Sequence, residues 1–79
     1  MPQPKPKLRA LDVSELIARG EEPFPTIMTA VEALAPGDSL SIVAPFLPTP
    51  LIEALKTRGF SARPERRKDG AWETFFTRQ

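Results

Sequence analysis

Asp12, Glu15, Glu21 and Glu22 are the residues whose types suit acid–base or divalent-metal chemistry, because carboxylates shuttle protons and bind magnesium through oxygen. Glu21 and Glu22 are adjacent, and Asp12 ends an apolar stretch that can bring it toward them. Their spacing matches no metal-binding loop, and such charges also serve as solvated loop residues that favour a helix start. The chain has no cysteine and no histidine. Thiol and imidazole chemistry and the ordinary ligands of zinc and haem are therefore absent from it, and no imidazole is available to activate a serine or threonine. The reading is a chain without a catalytic constellation, metal site or cofactor, whose work is binding.

A second set of candidates is basic. Arg63, Arg66, Arg67 and Lys68 cluster beside Trp72 and Phe75. Cations beside aromatic rings suit RNA, through phosphate contacts and base stacking. The same charges also keep a sheet edge soluble, and Glu65 and Glu73 offset part of them. The charge is uneven along the chain: residues 1–9 are net +3, residues 10–57 net −5 and residues 58–79 net +3. The overall balance of +1 and a pI near 8.2 fall below the pI above about 9 typical of dedicated nucleic-acid domains.

The elements that position these residues follow from period and punctuation. With 79 residues, the chain suffices for one domain. Residues 1–6 alternate with proline and predict an extended tail; residues 7–79 form the domain. Residues 7–13 read as a first strand, and residues 14–22 as a loop with one helical turn near Leu16. A first main helix starts near Pro23 or Pro25, with Ile27, Ala30, Val31 and Leu34 on its buried face. Ala35-Pro36-Gly37-Asp38 is a type II turn, which needs a positive φ at its third residue. Residues 39–43 alternate as a half-buried strand. Thr49 is placed to cap a second main helix, with Pro50 in its first position, Leu51, Ile52 and Leu55 buried, and Gly59 closing it.

Residues 60–67 and 71–78 form a hairpin around Lys68-Asp69-Gly70. A three-residue loop, with Gly70 left-handed, keeps Phe60, Ala62, Trp72 and Phe76 on one face. A two-residue turn splits that apolar set between faces, so the longer loop is favoured. Trp72 then belongs with the core, whereas Arg63, Glu65, Arg67, Glu73 and Phe75 share the other face. The predicted order is β-α-β-α-β-β, an α+β two-layer sandwich with two helices on one face of a four-stranded mixed sheet. The open face, with Phe75 and Val43 among charged side chains, can dimerise or dock a partner.

Leu11-Asp12, Pro25 with Ile27, Leu34-Ala35-Pro36-Gly37-Asp38-Ser39-Leu40, Pro45-Phe46-Leu47-Pro48-Thr49-Pro50-Leu51, Arg58-Gly59-Phe60 and Asp69-Gly70-Ala71-Trp72 occur in this order over residues 8–78. In this arrangement the chain resembles the TusA-like (SirA-like) sulfur-carrier superfamily. It is most similar to an uncharacterised bacterial domain-of-unknown-function branch that is sometimes fused to hemerythrin-like domains. The superfamily's sulfur carriers hold a persulfide on a cysteine at the start of the first main helix, where the helix N-terminus lowers a thiol pKa. Here that region is Glu21-Glu22-Pro23-Phe24-Pro25, with the prolines but no thiol. Members of the branch often carry a histidine where this chain has Phe24, and some carry one where it has Phe46. Neither sulfur transfer nor a histidine-held metal or haem transfers to this sequence.

The resemblance also implies that both main helices start at one end of the sheet, which makes Phe24 and Phe46 neighbours. Phe24, Pro25, Phe46, Pro48 and Thr49 are then candidates for an apolar pocket holding a small apolar ligand or a protein partner. Equally, the two rings can fill the gap and complete the core. The TusA-like fold further resembles the C-terminal domain of a bacterial translation initiation factor, which favours the RNA reading of Arg63, Arg66, Arg67, Lys68 and Phe75. No apolar run reaches the roughly 18 residues of a membrane span, and the expectation is a cytoplasmic protein, monomeric or homodimeric, without a membrane partner.

Overall fold

A computed structural model of the chain describes residues 7–79; the expectation for residues 1–6 lies outside the described residues. The strands are β1 (Leu8–Asp12), β2 (Ser39–Ala44), β3 (Phe60–Arg66) and β4 (Trp72–Arg78), and the helices α1 (Ser14–Ala18), α2 (Phe24–Glu32) and α3 (Thr49–Thr57). The sheet order is β1-β2-β4-β3. β1 is parallel to β2, and β4 is antiparallel to both β2 and β3. The chain crosses over α3 from β2 to β3 and then turns back so that β4 fills the place left between them. The result is the expected α+β fold with a mixed four-stranded sheet. Among the described residues no helix is long and apolar enough to cross a membrane.

Alternation along the strands decides which face the helices cover. Leu40, Ile42 and Phe76 are fully buried, and with Ala44 and Phe60 they meet Ile27, Val31, Leu34, Leu51, Ile52 and Leu55 from the helical side. The hairpin has the three-residue loop: Arg67 N–H donates to Ala71 O at 2.8 Å, and Gly70 carries φ +88°. Ala62 faces Phe76 and Phe60 faces Arg78 across the ladder, which keeps Phe60 and Phe76 on the covered face. Pro64 sits in β3, an edge strand, where a missing N–H costs no ladder bond inside the sheet.

Three features depart from the sequence reading. The stretch after β1 contains a five-residue helix, α1, in place of a loop with a single turn. Asp12 Oδ1 accepts the Ser14 N–H at 2.9 Å at its start, Gly20 with φ +76° ends it, and Leu16 and Ile17 pack against the core. Thr49 is not the cap of α3. It is already helical, Pro48 occupies the cap position, and Pro50 is second in the helix rather than first; the constrained φ of Pro48 starts the helix one residue early. Trp72 lies on the covered face as the register requires, but it is only half-buried, because its row lies at the end of the sheet.

Asp38 closes the other end. Its carboxylate accepts the N–H of Lys7 at 2.9 Å and that of Ala35 at 3.0 Å. These bonds, that from Lys7 foremost, hold its pKa below the usual carboxylate range. The turn also pairs with β4, Gly37 N–H donating to Arg78 O at 2.8 Å.

Candidate functional site

The two parallel strands β1 and β2 end at the same side of the sheet, next to the starts of α2 and α3. The crevice beyond the carboxyl ends of parallel strands is where open α/β sheets bind ligands, because chain crossovers leave it uncovered. Here it is a cavity of about 190 Å³. Its floor is Val13 after β1, Ile42 and Ala44 of β2, and Ile17, Ile27 and Leu51 of the three helices. Its walls are Pro23 and Phe24 on one side, and Phe46, Pro48 and Pro50 on the other. Among the described residues every side chain lining it is apolar.

The sequence explains why this cavity stays open. Prolines bracket both rings, as Pro23-Phe24-Pro25 and Pro45-Phe46-Leu47-Pro48, and stiffen the segments that carry them. The rings therefore stand up at the rim instead of collapsing onto the core: Phe24 is 41% exposed and Phe46 51%. Leu47 beside them is 39% exposed. Of the candidate residues, Phe24, Phe46 and Pro48 line the cavity, whereas Pro25 and Thr49 do not. The floor residue Ile17 escaped the sequence reading, although Val13, Leu16 and Ile17 already show the spacing of a short buried helical face.

The carboxylates do not assemble. Among the described residues no three metal-ligating side chains converge. Glu21 pairs with Arg19 at 2.7 Å in solvent, and Asp12 is held by Ser14. The Asp12 pKa is lowered by the Ser14 N–H first, then by the Ser14 side chain, with a smaller contribution from Arg67. A cavity walled by hydrocarbon can desolvate an apolar group, and among the described residues no carboxylate lines it.

The basic hairpin divides between two faces. Arg63, Arg67 and Phe75 lie on the open face, Arg66 lies with Trp72 on the other, and Lys68 is in the loop. The Arg63 guanidinium stands 5.2 Å from the centre of the Phe75 ring. Arg67 pairs with Asp69 at 3.5 Å, and Arg63 reaches Glu65 only at 4.0 Å. The five basic and aromatic candidates therefore do not make one continuous surface.

The pattern of a conserved but uncharacterised protein family, DUF2249, matches residues 10–78. The chain belongs to this family. The DUF2249 match spans every residue lining the cavity between Phe24 and Phe46, and the whole hairpin. No curated protein and no solved structure matches the chain. Within DUF2249 the chemistry of this member must therefore be argued from its own side chains.

Proposed function

We propose that this DUF2249 domain is a non-catalytic binding or adaptor module that receives one apolar side chain of a protein partner between Phe24 and Phe46. The observation that carries this reading is a wholly apolar cavity rimmed by two exposed aromatic rings. Its size chooses the occupant. At about 190 Å³ it falls short of the roughly 300–1,000 Å³ of small-molecule sites and suits a single aromatic or branched aliphatic side chain. Burying such a side chain contributes about 1.5–3 kcal/mol, so Leu47 and the rings themselves supply the surrounding contact. Asp12 and Glu22 adjoin the lining residues Val13 and Pro23 in the chain and favour a partner with basic residues beside its anchor.

The element order supports kinship with the TusA-like superfamily. On that reading the start of α2, where a sulfur carrier holds its thiol, has been turned over to apolar recognition. The test uses N-acetyl-tryptophanamide as the anchor mimic, followed through the amide resonances of the whole chain. Saturable shifts at Ile27, Ala44 and Leu51, lost in Phe46→Ser and little changed by salt, are the expected result. Shifts that persist in both Phe46→Ser and Phe24→Ser would remove the cavity from the account.

A further inference from the structure

The uncovered face of the sheet is not uniform. Register places Leu8, Ser39, Thr77 and Ser61 in one row across all four strands, then Ala10, Ser41, Phe75 and Arg63, then Asp12, Val43, Glu73 and Glu65. The first two rows border a hollow of about 670 Å³, lined by Lys7, Leu8, Ser39, Thr77, Ser61, Phe75 and Arg63 and the edge residue Ala62. Three hydroxyls, two cations and one aromatic ring thus meet there, and among the described residues no carboxylate lines it. Ser39 and Thr77 hydroxyls are 2.9 Å apart. Glu73, the nearest acid in the ladder, accepts from the buried Ser41 hydroxyl at 2.5 Å, and Asp38 is engaged by two backbone N–H groups.

We infer that this hollow is a second site, independent of the cavity at Phe24 and Phe46, and that it takes a mononucleotide. The base lies on Phe75, which offers a half-buried flat ring already attractive to the Arg63 cation. Arg63, on the strand next to Phe75, meets the phosphate, the Ser39, Thr77 and Ser61 hydroxyls meet the sugar, and Lys7 at the opposite edge of the sheet adds positive potential across the hollow. Arg63 is free to turn to a phosphate because its contact with Glu65 is long and exposed. The occupant is a single nucleotide rather than a strand for two reasons. Phe75 is the one aromatic ring on this face among the described residues, whereas strand-binding surfaces stack successive bases. Beyond it lies the row of Asp12, Glu73 and Glu65, which repels a continued phosphate backbone.

The experiment is a titration of the whole chain, followed through its amide resonances, with AMP, adenosine, inorganic phosphate and an eight-residue oligoadenylate. AMP should give saturable shifts at Ser39, Ser61, Arg63, Phe75 and Thr77. Adenosine or phosphate at the same concentration should give far weaker ones. Arg63→Glu should weaken AMP binding about tenfold or more, since a charge-assisted bond is replaced by repulsion, and Lys7→Glu should act in the same direction. Both residues are exposed, so the fold tolerates either change. No shift with AMP, equal shifts with phosphate alone, or an oligomer that binds more tightly per nucleotide than AMP would each overturn the inference.

Discussion

The Asp38 carboxylate accepts the backbone N–H of Lys7 at 2.9 Å, joining residues 31 positions apart. One acid so ties the start of the edge strand β1 to the turn that leads into β2. Asp38 is depressed in pKa by this bond and the one from Ala35. The stabilisation is present above the unfolded carboxylate pKa of about 3.9 and is lost as pH falls through the lower folded value. Asp38→Ala should therefore melt below the parent protein at neutral pH, and the difference should close as the pH drops below about 4. A gap of constant size down to pH 2 would show that the carboxylate charge is not what holds the turn.

Thr74 carries the opposite kind of polar group. It is fully buried on the helix-covered face, and its hydroxyl has no hydrogen-bond partner. Thr74→Val keeps the shape and removes the unsatisfied group, so it should stabilise the domain by about 1 kcal/mol in urea unfolding. A loss of stability would mean that the hydroxyl has a bonding role.

Ala44 lies in the floor of the cavity and is 1% exposed. Ala44→Val adds two methyl groups where there is empty space. It should hold or raise stability, by up to roughly 1 kcal/mol, and should weaken binding of an apolar probe while leaving Phe24 and Phe46 in place. A marked fall in melting temperature would show that the space is not available to a side chain.

The hairpin register was legible because one alternative separates Phe60 from Phe76, a penalty large enough to decide between turns. The main helices were legible from Ile27, Val31 and Leu34, and from Leu51, Ile52 and Leu55, at regular spacing beside proline and glycine. α1 was only partly legible, because five residues hold too little period to distinguish a helix from a turn; its ends are fixed by Asp12 and Gly20. Thr49 misled because its own capping tendency is overridden by Pro48. Trp72 fell short of the core because burial there depends on how far the helices extend over the last row of the sheet, which no local pattern encodes. The Phe24 and Phe46 rings could not be assigned to rim or core from sequence, since both roles use the same residue and only the packing of stiff proline segments separates them. The hydroxyl row of Ser39, Thr77 and Ser61 was hidden because it depends on strand order.

The most direct test of the binding cavity is a set of intermolecular nuclear Overhauser effects between N-acetyl-tryptophanamide and the methyl groups of the whole chain. Contacts from the indole ring to Ile27, Ile42 and Leu51, absent in Phe46→Ser, are the predicted result. An indole ring that contacts only Leu8 and other open-face side chains, or none of the methyl groups, would contradict the account.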